Sequence, residues 1–267
     1  MIKISLAGRM NTVWLNSRSR ITDYDTQLKI STILSVLDTK IEINKQINHH
    51  LEQMAQTIFK SWFVDFEPWS GEMPSDWQDG NLNDICSFST ERIAVNRLTN
   101  QTYISTENML NNRGGYVDAA SLPSIPQTTM FRPGNVLISN IRPYFKKIVY
   151  CSFAGGCSND VLCFQAKNET IAPYLYCLLY SDAFFDYIVA GSKGTKMPRG
   201  DKQQIMNYPI VIPQDKVLAD FVRLVAPTLS KIELNNNENH NLTALRDALL
   251  PRLMSGELSV ADVGDAK

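Results

Sequence analysis

Thr39-Lys40-Ile41-Glu42-Ile43-Asn44 recurs as Ser230-Lys231-Ile232-Glu233-Leu234-Asn235. The offset, 231 less 40, is 191 residues, and at that offset Asn48 matches Asn239, His49 matches His240 and Leu51 matches Leu242. Apolar character then stays in step: Met54 with Leu245, Ile58 with Leu249, Phe59 with Leu250 and Trp62 with Leu253. Two related elements thus bracket one unrelated middle, unlike a solenoid, whose repeats are contiguous.

Both copies read as helices. Ile30, Leu34, Leu37, Ile41, Asn44, Asn48, Leu51, Ala55, Ile58 and Trp62 follow alternating steps of 4 and 3, the a/d seam of a coiled coil. No Pro or Gly interrupts Gln27 to Phe66. At about 1.5 Å per residue such a helix is on the order of 55 Å long, which suits a rod. The second seam is Phe221, Val225, Thr228, Ile232, Asn235, Asn239, Leu242, Arg246, Leu249 and Leu253. Pro227 lies inside it and should kink the helix or mark its true start. Gly256 stands where a C-terminal cap belongs. Asn44 and Asn48 in one seam match Asn235 and Asn239 in the other. A buried Asn costs stability unless it meets a hydrogen-bonding partner, so seam Asn residues fix register and partner. The expectation is antiparallel pairing of the two helices near their middles; the alternative is that they diverge there and leave the Asn residues solvated.

Composition bounds the rest. The chain has 267 residues, 44% hydrophobic, with a formal net charge of −1 and a sequence pI of about 6.3. That is not the balance of a globally basic nucleic-acid protein, so any surface for DNA must be local. Cys86, Cys151, Cys157, Cys163 and Cys177 form no C-x-x-C pair and have no His at ligand spacing, which reads as reduced thiols of a cytoplasmic protein rather than a zinc site. No apolar run approaches the ~20 residues of a membrane span. The start, Met1 to Gly8, has too short an apolar core for a signal peptide. His49, His50 and His240, the three histidines, all fall on the rods, so neither His-based catalysis nor a metal site is expected.

Pro68, Gly71, Pro74 and Gly80 end the first helix and open the middle domain, with Trp69 and Trp77 set to pack the helix root onto it. Strands are expected at Thr102–Ser105, Val136–Ser139, Ile148–Ser152, Val161–Gln165 and Tyr208–Ile212. Helices are expected at Ala172–Tyr180 and Ala183–Val189. The fold class is α+β: one globular mixed α/β domain around a twisted sheet, plus two long antiparallel coiled-coil helices. The expected boundaries are an atypical segment 1–24, a helix 25–67, the domain 68–213, a helix 214–260 and a tail 261–267.

Two turn-like stretches concentrate positive charge. One contains Asn140, Arg142, Lys146 and Lys147; the other, Gly191 to Lys202, contains Lys193, Thr195, Lys196, Arg199 and Lys202 among three glycines. Glycine lets backbone N–H groups approach phosphates, and Lys and Arg neutralise them. Arg can also read guanine edges and Asn adenine in the major groove. Arg92, Arg97, Asn111, Asn112 and Arg113 lie in further loop-like stretches. These residues are the candidate DNA contacts.

Residues Ile30 to Phe66, with Leu37-Asp38-Thr39-Lys40-Ile41 and Phe59-Lys60-Ser61-Trp62-Phe63, resemble the central spacer helix of type I restriction–modification specificity subunits. Phe131-Arg132-Pro133-Gly134-Asn135-Val136 to Tyr144, Gly191–Pro198 and Tyr208–Pro213 resemble that family's target recognition domain. Leu249-Leu250-Pro251-Arg252-Leu253-Met254-Ser255-Gly256 resembles its C-terminus. The resemblance covers residues 25 to 260. It departs from the family in having one recognition domain where a full-length member has two, so the chain resembles a C-terminal half. The Pro-x-Pro lead-in is replaced by Ile21-Thr22-Asp23-Tyr24-Asp25, and Met1 to Asp23 reads as remnant sequence.

The resemblance implies a non-catalytic subunit that reads one half-site of double-stranded DNA and needs no cofactor. The residues agree: Gly-x-Gly-x-x-Gly, Asn-Pro-Pro-aromatic and Walker motifs are all missing. Methyltransferase subunits would supply the methylation and a motor–nuclease subunit the cleavage. With one reader per chain, the second reader would come from a second copy, as a homodimer, or from another half-subunit. The alternative is a coiled-coil scaffold that does not bind DNA, an inactive remnant of a specificity subunit.

Overall fold

The computed structural model describes residues 23–260; most of the segment 1–24 and the tail 261–267 lie outside them. Helix α1 spans Tyr24–Phe63, 40 residues. It starts where Asp23 accepts hydrogen bonds from the Thr26 backbone N–H at 3.0 Å and the Thr26 hydroxyl at 2.8 Å, satisfying a donor that the first turn leaves open. It ends before Phe66, whose φ of 52° cannot continue a right-handed helix.

A 3-10 turn, Glu67–Trp69, leads into the domain. In chain order follow β1 (Gln78–Asn81), α2 (Leu82–Ile85), β2 (Cys86–Phe88), β3 (Arg92–Ala94), β4 (Tyr103–Ile104), β5 (Gln127–Phe131) and β6 (Val136–Ser139). Then come β7 (Ile148–Tyr150), β8 (Gly155–Cys157), β9 (Val161–Ala166), α3 (Ala172–Tyr180), α4 (Asp182–Ala190), α5 (Lys202–Met206) and β10 (Pro209–Ile212). The chain returns on α6, Asp215–Met254, again 40 residues.

The strands form two four-stranded sheets and a two-stranded pair. The order β2-β9-β6-β7 is antiparallel throughout. All four residues of β6 are buried, as a central strand covered on both faces requires. The second sheet, β3-β5-β8-β4, contains the parallel pair β4–β8. Strand β8 has little strand signal because it opens with Gly155-Gly156. A Cβ on Gly155 would collide with the Thr102 carbonyl and Phe131, and one on Gly156 with Leu98 and Thr128. Close approach of neighbours fixes both glycines.

Strands β1 and β10 pair antiparallel, Gln78 opposite Ile212 through Asn81 opposite Pro209. The domain therefore closes on itself, and its entry and exit lie side by side. Aromatic rings pack the helix roots there. Phe63 lies 4.9 Å from Tyr174 and 5.0 Å from Phe221, and Trp69 lies 4.7 Å from Trp77. The buried stripe at the roots is Ala55, Phe59 and Phe63 on α1, and Phe221, Val225 and Leu229 on α6. The heptad had continued instead through Ile58, Trp62 and Thr228. A straight helix drifts about 20° per heptad from a 3.5-residue repeat, so the buried face advances by a residue.

Two compact units result: residues 51–230, and the helical arms 23–50 with 231–260. Within the arms α1 and α6 run antiparallel. Ile30 and Leu34 pack with Leu253, flanked by Leu249, Leu250, Leu258 and Val260. Arg246 pairs with Asp38 at 2.8 Å. Asn44 Nδ2 donates to Asn239 Oδ1 at 3.0 Å and to Glu238 at 2.8 Å. Asn235 Nδ2 donates to Asn48 Oδ1 at 2.7 Å, and Asn48 Nδ2 to Asn236 Oδ1 at 2.8 Å. The Asn layers are thus partnered rather than solvated. Pro227 does not start α6, which begins at Asp215 and runs through it. Pro227 is exposed, as is Arg223 one turn earlier, whose carbonyl loses its usual helical donor. Gly256 takes φ 75° just past the helix end, the left-handed cap position.

Replacing Asn44, Asn48, Asn235 and Asn239 together by Leu should raise stability by roughly 1–3 kcal/mol while loosening register. Thermal unfolding reads the first effect. A bismaleimide cross-link between Asp38→Cys and Arg246→Cys reads the second: its yield should fall when the four Leu are present.

Candidate nucleic-acid interface

Turns carry much of the positive charge of the domain, but Arg92, expected in a loop, lies on β3, and Lys202 opens α5. Residues 191–200 fold back as a hairpin: Lys193 and Arg199 exchange both backbone hydrogen bonds at 2.9 Å. Gly194, at φ 105°, turns the tip because a side chain is strained there. Lys193, Thr195, Lys196 and Arg199 are all exposed on it.

The hairpin lies on the other cationic stretch. Ile141 bridges to Arg199, the Arg142 N–H donates to the Pro198 carbonyl at 2.8 Å, and the Gly200 N–H to the Asn140 carbonyl at 3.3 Å. Asp160 locks the junction: its carbonyl accepts from the Asn140 N–H at 2.8 Å and its carboxylate pairs with Arg199 at 3.0 Å. Gly200 permits the approach, since a Cβ there would stand 2.9 Å from Asn140 Oδ1, Ile188 and Ile205. Two stretches about fifty residues apart in sequence thus form one surface.

Residues 142–147 in turn meet 111–113. The Asn112 N–H donates to the Phe145 carbonyl at 2.8 Å and the Arg113 N–H to the Lys146 carbonyl at 2.9 Å. Asn112, Arg113, Arg142 and Lys146 all have φ between 49° and 60°. Left-handed backbone costs a non-glycine residue about 1 kcal/mol or more, and it persists where surroundings over-determine it, commonly at functional loops.

Several expected contacts are turned inward. Asp182 holds Arg113 and Lys146, each at 2.6 Å, and Lys146 and Arg113 together push its carboxyl down to about 2. Arg113 Nε also donates to the Tyr180 carbonyl at 2.9 Å, and its guanidinium stacks 4.8 Å from the Tyr180 ring. Lys147 donates to the Thr106 carbonyl at 2.6 Å, and partial burial lowers its pKa. Asn140 is buried; its Oδ1 and Arg142 Nε are without a protein hydrogen-bond partner. Asn111 and Asn112 are exposed at the loop edge. Arg97 is exposed on the 3-10 turn Val95–Arg97, and no hydrogen bond or ion pair among the described residues ties it to the hairpin.

Arg92 and Lys202 flank a cleft of about 250 Å³ lined also by Phe88, Ser89, Thr129 and Asn159. Arg92 is braced there by Thr129 Oγ1 at 3.2 Å and the Gln127 carbonyl at 3.1 Å. Asn159 precedes the Asp160 that holds Arg199, so cleft and hairpin adjoin.

Acidic residues organise these cations, and a search for positive charge passes over them. Besides Asp160 and Asp182, Glu52 of α1 accepts a hydrogen bond from the Tyr180 hydroxyl at 2.6 Å. Burial pushes its carboxyl up to about 7, against the opposing pull of Tyr180 and Arg113. Among the described residues no His, Cys, Asp or Glu cluster suits a metal, and no helix is long and apolar enough to cross a membrane.

No protein-family model matches the chain. It is 28% identical over 263 residues to the type I restriction enzyme MjaIX specificity subunit of Methanocaldococcus jannaschii, covering 90% of this chain and 60% of that protein. It is 24% identical to the type I restriction enzyme HindI specificity subunit of Haemophilus influenzae, over 97% of this chain and 73% of that one. Its fold is like that of the type I restriction–modification system S subunit from M. genitalium, with TM-score 0.54 and 18% identity over 87% of this chain and 61% of that chain. The chain thus spans about three fifths of the MjaIX subunit and of that solved S subunit.

Glu52 binds its proton more tightly in the folded protein, near 7, than at the ordinary value of 4.5. Its contribution is therefore undiminished below pH 4.5, falls as pH rises from 4.5 to 7, and stays low above. Glu52→Gln keeps an acceptor for Tyr180 and removes the charge. Above pH 7 it should be more stable than the parent by on the order of 1–2 kcal/mol, discounted for partial solvent access, with parity near pH 4.5. Thermal unfolding at both pH values checks this.

Proposed function

We propose that this chain, which belongs with the specificity subunits of type I restriction enzymes, reads one half-site of double-stranded DNA and is itself non-catalytic. The observation that carries the reading is the joining of hairpin 193–199 to the 140–142 segment. It presents Lys193, Thr195, Lys196 and Arg199 together on a chain of net charge −1. A hairpin of this size suits a groove, with cations meeting phosphates and Arg199 or Thr195 within reach of base edges. Arg92 and Lys202 extend the same surface across the cleft. Adenine methylation and cleavage would come from methyltransferase and motor–nuclease subunits assembled on the chain.

Two readers are needed for a two-part site, and a two-fold pair of copies supplies them. Within one chain α1 and α6 already use the Asn-bearing seam on each other. Pairing would draw on residues exposed outside the seam, among them Ile43, Ile47, Leu234 and Leu245.

Neutralising Lys193, Lys196 and Arg199 to Gln should weaken binding to a duplex by roughly tenfold or more and flatten its salt dependence by two to three phosphates' worth. Fluorescence anisotropy across a salt series measures both, and unchanged affinity and slope would remove the hairpin from the DNA face. Light scattering of the chain should give twice the monomer mass. A monomer would leave the second half-site to a different half-subunit.

A further inference from the structure

Glu52 raises a question that DNA reading alone does not answer. A carboxylate is costly to desolvate, and Glu52 lies on the long helix rather than in the cationic loops. Its partner Tyr180 ends α3. The Tyr180 ring carries the Arg113 guanidinium, and its carbonyl accepts from Arg113 Nε. Arg113 shares Asp182 with Lys146 at equal distances of 2.6 Å. The backbones of Arg113 and Lys146 are themselves joined at 2.9 Å, in the left-handed turn that follows Arg142. A continuous polar chain therefore runs Glu52, Tyr180, Arg113, Asp182, Lys146. It links α1 to the loop on which the hairpin rests, and every link is a hydrogen bond, ion pair or ring contact.

We infer that Glu52, Tyr180 and Asp182 are positioning residues that set the Arg142–Lys147 loop, and through it the hairpin, for DNA. The inference rests on the DNA-reading proposal and deepens it. Ionised Glu52 draws on the Tyr180 hydroxyl and on Arg113, which keeps Arg113 seated and Asp182 aimed at Lys146. Protonated Glu52 loses the attraction for Arg113, so one end of the chain slackens. The titratable and charged groups acting on Glu52 are Tyr180 and Arg113, with Tyr176 of α3 feeling its charge. A carboxyl that changes charge near neutrality makes the coupling visible as a pH profile. Duplex affinity of a protein ordinarily falls or stays level as pH rises, because cations are lost. This chain should behave in the opposite way between pH 6 and pH 8.

The test uses the full chain and a labelled duplex at fixed ionic strength. The parent should bind about fivefold more tightly at pH 8 than at pH 6, a coupling of ordinary size. Glu52→Gln should bind at both pH values as the parent does at pH 6. Tyr180→Phe keeps the ring under Arg113 and removes only the hydroxyl. Asp182→Asn breaks the far end while leaving Glu52 intact. Both should abolish the pH step, and combining either with Glu52→Gln should add nothing further. A merely structural role would lower affinity equally at all pH and leave the step in place. A step that survives in Glu52→Gln would not come from Glu52 and would overturn the inference. So would a parent with no step. The hairpin variant run in parallel separates the two proposals. If neutralising the hairpin weakens binding while the step is absent, only the positioning chain fails. If the hairpin variant also binds unchanged, the DNA-reading surface itself is misassigned.

Discussion

The antiparallel pairing of β1 with β10 is the constraint from which the architecture follows. One long helix enters the domain and another leaves it. Their roots, within residues 51–230, meet where the domain begins and ends. The four residue pairs from Gln78–Ile212 to Asn81–Pro209 provide that place, and the rings of Phe63, Tyr174 and Phe221 fill it. Within the arms, Asn44 opposite Asn239 and Asn48 opposite Asn235 then select one register among many. An apolar seam would tolerate sliding by a heptad; a buried amide left unpaired would not, at roughly 1–3 kcal/mol for each lost partner.

The cationic surface obeys a different logic. Clustering cations is unfavourable, and acids stand among them: Arg113 and Lys146 share Asp182, and Arg199 has Asp160. The acids hold loops in shape, and the outermost cations, Lys193 at the hairpin base and Lys196 at the tip, remain exposed. Lys193 reaches Asp201 at 2.6 Å, but its side chain stays 80% exposed. An exposed pair of this kind is worth little and exchanges readily for a phosphate. A nearly neutral chain can in this way offer a locally positive surface.

The helices were legible because a 4–3 spacing sustained over ten positions has few other readings. The strands Val136–Ser139 and Val161–Ala166 were legible from β-branched and apolar runs. Strand β8 was not, because Gly155 and Gly156 serve a neighbour's approach rather than strand propensity. The fold also departs from its own heptad at Ile58 and Trp62, where the helix meets a domain instead of a partner helix. The hairpin could be located from its glycines and cations. Its contact with Asn140 and Arg142 could not, since only the fold joins segments so far apart in sequence. Sequence likewise gave no sign that Arg113, Lys146 and Lys147 point into the protein. Their partners are Asp182, Tyr180 and the Thr106 carbonyl, none adjacent in the chain.

The central claim is that the hairpin and the loop beneath it choose the DNA sequence for an assembled methyltransferase. Mapping methylated adenines across the genome of cells that express this chain with its methyltransferase partner tests that claim most directly. The same map would be made after residues 191–200 are exchanged for those of a relative. The account predicts a two-part methylated motif that depends on the chain, and a change of bases in the half-site or half-sites it reads when the hairpin is exchanged. A motif indifferent to the exchange, or methylation that does not require the chain, would contradict it.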